Sequence, residues 1–311
     1  MRIIKPSVKR IQFSDRIQQI GYAASVCYAS NKRGTTEWLE DLWKSGHKSV
    51  FRHGTRYYII PSNILNDYIK YSLKFSPYCG FYENEGTQQV FVSINEQYYV
   101  EHPYMRNFGV FECNELNFII EAKNIDDYAT KKVLDIIRLT FEVITQISTS
   151  RELNRVSPNN ICEQSTRYCN FSKEKFGNEI TICQPHWMDI LGERNEISLT
   201  YENFSSQSIE ILKKEYLISG FTASYLLCLL DAEKSYIKFT SDNILAQDAR
   251  GLLPLDTATK CIYTYRFEEW KHFIELRYLG TTGTPHPNAK IIGELVYNQL
   301  QNFTGDGKII I

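Results

Sequence analysis

Residues 163–180 (Glu-Gln-Ser-Thr-Arg-Tyr-Cys-Asn-Phe-Ser-Lys-Glu-Lys-Phe-Gly-Asn-Glu-Ile) are too polar and too rich in turn formers to sit inside a core. Ser165, Thr166, Arg167, Tyr168 and Asn170 fall within a few positions, and Ser172 and a Gly177-Asn178 turn signal follow. Whatever fold the chain adopts must carry this stretch as a loop on a well-packed frame. Hydroxyls beside a guanidinium are what a site needs to grip a phosphate or a flat polar ring.

The frame is affordable. The chain has 311 residues, 43% of them hydrophobic, enough for one large domain or two moderate ones. Its net charge is −1 with both signs interspersed, which argues against a general nucleic-acid surface or an anionic membrane surface. No apolar run approaches the roughly 20 residues of a membrane span, and the N-terminus (Met1-Arg2-Ile3-Ile4-Lys5) has no signal-peptide hydrophobic stretch. The cysteines Cys27, Cys79, Cys113, Cys162, Cys169, Cys183, Cys228 and Cys261 form no Cys-x-x-Cys, and no His pair has zinc spacing. No metal site is expected. A reduced, cytoplasmic setting is, with the cysteines mostly as small core residues.

Periodicity predicts a strand at 2–4, a helix over 14–29, and a helix from Thr36 to about Ser45 ended by Gly46. A strand follows at 55–60, a helix at 64–75 and a strand at 88–93. The clearest helix spans 126–149, with Ala129, Val133, Ile136, Leu139, Val143 and Ile144 near helical register. Residues 170–197 read as irregular, 200–239 as two helical pieces broken near Gly220, and 267–277 as a further helix. With no internal repeat and no low-complexity linker, the economical reading is a single α+β domain over 1–311.

Four separated segments carry chemistry. Gly46-His47-Lys48-Ser49-Val50-Phe51-Arg52-His53 places two His and a hydroxyl after a helix-ending Gly, which suits a polar ring or a diphosphate. Glu152–Tyr168 contains Arg155-Val156-Ser157 and then Ser165-Thr166-Arg167-Tyr168. Gln247–Pro254 carries Arg250 before Leu-Leu-Pro, and Trp270–Arg277 carries His272 and Arg277. Alone, the first is most simply a helix cap, the second a polar loop and the third a helix end. Trp270, Phe273 and Leu276 have the spacing of a core stripe.

Together these segments resemble the flavin-dependent thymidylate synthases. That family has Gly-His-x-Ser/Thr-x-x-Glu-His, then Arg-His-Arg followed by Ser-x-Arg-Tyr, then Ala-Arg-x-x-Leu-Pro and Phe-x-x-Leu-Arg. The resemblance is best over 20–60, 150–190 and 232–300; insertions are expected near 76–125 and 190–215. It implies an α+β fold with a mixed sheet and long helices, and a homotetramer. The implied activity is reductive methylation of dUMP to dTMP, with methylenetetrahydrofolate as carbon donor, FAD as cofactor and NADPH as reductant. By alignment Glu163, Ser165, Arg167, Tyr168, Arg250 and Arg277 bind the nucleotide, with Ser165 and Arg167 catalytic. His47, Ser49, Arg155 and His272 bind the cofactor. Ser165 is expected to orient rather than attack, since no base is evident beside it.

The chain departs from the family at two places. Arg52 replaces a Glu. Val156 and Ser157 stand where the family has His and Arg, which removes donors and charge beside the flavin and implies weak FAD binding. The alternatives are a flavin- and folate-dependent modifier of another pyrimidine nucleotide and a non-catalytic nucleotide-binding homologue.

Overall fold

The computed structural model describes residues 1–30, 35–157, 160–200 and 208–304. The fold is α+β, with three sheets. In the first, β1 (Arg2–Ile4) lies between β9 (Thr181–Cys183), to which it runs parallel, and β10 (Glu196–Ser198), to which it runs antiparallel. The second has the order β2 (Ser7–Ile11), β7 (Arg138–Gln146), β11 (Ala258–Arg266), β8 (Ile161–Glu163), all neighbours antiparallel. The third has the order β4 (Cys79–Asn84), β5 (Gln89–Asn95), β3 (Thr55–Pro61), β6 (Glu112–Cys113). No helix among the described residues is long and apolar enough to cross a membrane.

The first helices form where capping chemistry allows. Asp15 caps α1 (Arg16–Tyr28) and Ala29, in the left-handed region, ends it. Thr35, one residue before the expected cap, starts α2 (Thr36–Lys44), which buries Leu39 and Leu42. Gly46 takes a φ of 86° just beyond it. Asn66 delays α3 (Asp67–Phe75) until after a 3-10 turn at 62–64.

The largest correction concerns 126–149, which is not one helix. It is α6 (Asp127–Asp135), then β7, then α7 (Ile147–Leu153). The apolar residues there fit two periods at once. Leu139, Phe141 and Val143 also recur every second position, and β2 and β11 on either side satisfy the backbone of a strand but not of a helix. Those three side chains enter the main core with Tyr263, Tyr265, Trp270 and Phe273. The opposite face of β7 is polar and meets α1: Gln19 donates to Thr140 Oγ1 at 2.8 Å, and Tyr22 bonds Glu142.

The expected pieces of 200–239 are α8 (Ser208–Tyr216) and α9 (Gly220–Ser241); residues 201–207 lie outside the described chain. The helix after β11 is shorter than predicted. It is α11 (Phe267–Ile274), which passes into a π-helical turn, Glu275–Leu279, ahead of α12 (Pro287–Thr304). The stretch 76–125 is not loop. It supplies β4, β5 and β6, with α4 (Glu96–Glu101) and α5 (Glu115–Ile125), and most of the third sheet's own core, including Val90, Val92, Ile94 and Tyr98.

His53 is fully buried where these layers meet, its Nδ1 2.8 Å from Thr264 Oγ1. Burial, reinforced by Arg138 and Arg52, pulls its pKa down to about 3. The native state therefore holds His53 neutral while the unfolded chain protonates near pH 6.5. Its contribution is intact above about pH 6.5 and is lost as pH falls toward 3, at up to about 1.4 kcal/mol per pH unit. Denaturant titrations should show a flatter acid limb for His53→Asn than for the parent; identical limbs would remove His53 as the cause.

Candidate functional site

The polar loop emerges from β8 and is pinned at each step. The Glu163 carboxylate accepts from Ser150 Oγ at 2.7 Å, Thr259 Oγ1 at 3.1 Å and Asn154 Nδ2 at 3.4 Å. The Gln164 N–H donates to the Lys260 carbonyl at 2.8 Å, and the Ser165 N–H to the Cys27 carbonyl at 3.1 Å. Ser165 Oγ accepts from the Arg167 N–H at 3.2 Å. This hydroxyl shapes the turn.

The turn projects Arg167 and Tyr168 outward. Tyr168 is 52% exposed, its ring 5.2 Å from that of Tyr28 and 5.3 Å from the Arg167 guanidinium carbon. Arg167 Nε donates to Gln247 Oε1 at 3.2 Å. Gln247 lies in α10 (Ala246–Ala249), one turn before the exposed Arg250. The fold thus joins the Ser165–Tyr168 loop to the Arg250 segment across 80 residues of sequence. Tyr28 and Gln247 belong to this patch and carry no motif signal of their own.

Arg277 is not joined to the patch by any hydrogen bond, ion pair or ring contact among the described residues. It sits in the π-helical turn, and its Nε is buried without a partner. Gly293 on α12 lets the two backbones touch: a Cβ there would lie 2.8 Å from the Arg277 carbonyl carbon. Neither backbone can yield by rotamer change, so Gly293→Ala should cost about 1–3 kcal/mol. Thermal unfolding checks this; an unchanged Tm would show that α12 slides freely.

Beside the loop lies a cavity of about 500 Å³ that the motifs did not reveal. Gln164, Tyr22, Phe171, Phe176, Thr259 and Lys260 help to line it. Phe171 and Phe176 are in edge contact at 5.2 Å and fall inside the polar stretch itself. With Gln164 they meet residues of α1, β1, β7, β9 and β11, so only folding brings the lining together.

The residues expected to hold the cofactor behave differently. His47, Ser49 and Arg155 are exposed. Val156 packs against the main core, and Ser157 Oγ donates to Glu269 Oε1 at 3.0 Å. These two residues and His272 border a cleft of about 350 Å³ with Arg266, Glu268 and Glu269. Arg266 pairs with Glu268 at 2.9 Å and with Glu269 at 3.3 Å, and His272 meets Glu275 at 3.2 Å. Burial raises the Glu268 carboxyl. Two carboxylates face one guanidinium, and that guanidinium is already paired. The residues at the altered motif therefore offer a flavin ring no free donor or unpaired cation there. No group of three or more His, Cys, Asp or Glu among the described residues could hold a metal ion.

Residues 115–301 match the family described as thymidylate synthase complementing protein. The chain belongs to this family. The match takes in the polar loop, the Arg250 segment and the π-helical turn; the third sheet, over 55–113, lies before it. No curated protein sequence matches the chain. Among solved structures, the chain is similar to a UMP/dUMP methylase, PolB, from Streptomyces cacaoi bound with 5-Br dUMP. The identity is 13%, each chain is covered to 99%, and the TM-score is 0.41. It is also similar to Thymidylate Synthase X from Helicobacter pylori with FAD and dUMP, at 15% identity and a TM-score of 0.35, over 60% of this chain and 77% of that one.

Proposed function

We propose that this member of the thymidylate synthase complementing family methylates dUMP to dTMP, taking the carbon from methylenetetrahydrofolate. The observation that carries this reading is the convergence of Arg167 with the Arg250 segment beside the Tyr28–Tyr168 pair. A guanidinium over an aromatic ring, with the exposed Arg250 one turn beyond its Gln247 partner, suits a phosphomonoester joined to a flat pyrimidine, each charge-assisted contact contributing roughly 1.5–3 kcal/mol once desolvated. In this reading Arg167 and Arg250 hold the phosphate. Tyr168 flanks the base, Ser165 fixes the turn that aims both, and Glu163 anchors the loop to β11. The patch is open to solvent on its outer side, which suits a site closed by a second copy in a homotetramer; Arg277 belongs to the nucleotide pocket only if that assembly brings it there. The chain is a single domain over 1–311 in this reading, with insertions near 76–125 and 190–215.

FAD, reduced by NADPH, supplies the hydride in the family's reaction, and the cleft at Val156 and Ser157 offers it no free donor. That same cleft favours a second reading, a nucleotide-binding homologue without catalysis. The experiment is to release and quantify any flavin from purified protein, then to titrate dUMP and UMP by calorimetry. Saturable dUMP binding supports the nucleotide site. No binding of either nucleotide would overturn it.

A further inference from the structure

Four of the cysteines gather around the polar loop. Cys162 and Cys261 lie on the paired strands β8 and β11, where Cys261 faces Glu163. Cys27, near the end of α1, packs with Cys162 in one apolar cluster. Cys169 closes the turn, its Sγ 4.0 Å from the Cys27 carbonyl, the same carbonyl that accepts the Ser165 N–H. Of the four, Cys27 and Cys162 are the two that share an apolar cluster. Both are free thiols, Cys27 half-buried and Cys162 buried.

We propose that Cys27 and Cys162 form a reversible intrachain disulfide under peroxide, and that this bond moves the Ser165–Arg167 loop. The chemistry divides between them. Cys162, with the backbone at Glu163, draws the Cys27 thiol below its ordinary pKa against burial, and Cys27 is the more exposed of the two. Cys27 is therefore the nucleophile. Its sulfur attacks hydrogen peroxide, an S–O bond forms as the O–O bond breaks, and hydroxide leaves to become water. The Cys162 sulfur then attacks the sulfenic Cys27 sulfur, the S–S bond forms as the S–O bond breaks, and the departing hydroxide takes the Cys162 proton. Two thiols lose two electrons and one peroxide becomes two waters. A dithiol reverses the bond by exchange.

The bond has a mechanical consequence. A disulfide sets its sulfurs about 2.05 Å apart, so the bond ties α1 directly to β8. The Cys27 carbonyl travels with α1 and carries the Ser165 N–H, while Cys162 is joined directly to Glu163 and its three donors.

The test is made on the full chain with the exposed Cys228 changed (Cys228→Ser) to suppress bonds between copies. Peroxide treatment, alkylation and peptide mass spectrometry should recover a peptide pair linked through Cys27 and Cys162, lost on dithiothreitol treatment and absent in Cys162→Ala. If both thiols stay fully alkylatable while other cysteines oxidise, the inference is wrong. The functional arm rests on the nucleotide reading above: dUMP affinity should fall at least fivefold on oxidation and recover with dithiothreitol. A linked peptide with unchanged dUMP affinity would overturn the coupling to the loop. A linked peptide in a protein that binds no dUMP even when reduced would overturn the nucleotide reading instead, leaving the disulfide standing.

Discussion

Arg167→Ala should weaken dUMP binding by about 2 kcal/mol or more, roughly thirtyfold, in calorimetry. The size follows from what the guanidinium has to give up. Arg167 is exposed, and among the described residues its guanidinium makes one hydrogen bond, to Gln247 at 3.2 Å. Exposed pairings of that kind contribute little, so the side chain is available to a ligand at small cost. Buried under a nucleotide phosphate, it would make charge-assisted bonds that alanine cannot replace. Gln247→Ala is the control, expected to change affinity by less than about 1 kcal/mol because it removes a neutral partner rather than a charge. Unchanged dUMP affinity in Arg167→Ala would strip the residue of its role.

The largest effect on stability should come from Glu96→Ala, at about 3–5 kcal/mol in chemical denaturation. Glu96 opens α4 and is 6% exposed; Arg56 on β3 is 7% exposed. The two are joined by bonds of 2.8 and 3.0 Å, and Arg16 of α1 adds a third at 3.1 Å. Arg56 also lies 3.5 Å from the Tyr99 ring and bonds Glu112 at 2.8 Å. Removing Glu96 leaves a buried guanidinium with only the more exposed Glu112, which is the costly way to break such a pair. The pair also ties the third sheet to α1, and so to the frame that carries the loop. A loss below about 1 kcal/mol would mean that water reaches Arg56 once the carboxylate is gone.

Much of the site was legible because its parts are short and local. Ser165, Arg167 and Tyr168 announce a loop by composition, and the loop is where the sequence puts it. The Arg250 segment carried no weight alone, and only the Gln247 contact shows that it meets Arg167. The cavity lined by Tyr22, Phe171 and Thr259 could not be read at all, since its walls come from α1, four strands and the loop. The fold was legible where breakers punctuate it, at Gly46 and Gly220. It failed at β7, where Leu139, Phe141 and Val143 satisfy a two-residue period inside a run that also satisfies 3.6; only the neighbouring strands decide between them. The gap at Val156-Ser157 was visible as a missing charge. That Glu268 and Glu269 fill the cleft was not, because they lie more than 100 residues further along the chain.

The most direct measurement is turnover. Purified protein is incubated with dUMP and methylenetetrahydrofolate labelled at the methylene carbon, with NADPH, and with and without added FAD. Label should appear in dTMP, and Arg167→Ala should abolish most of it. Saturable dUMP binding with no labelled dTMP, even at saturating FAD, would contradict the enzyme reading and leave a nucleotide-binding protein in its place.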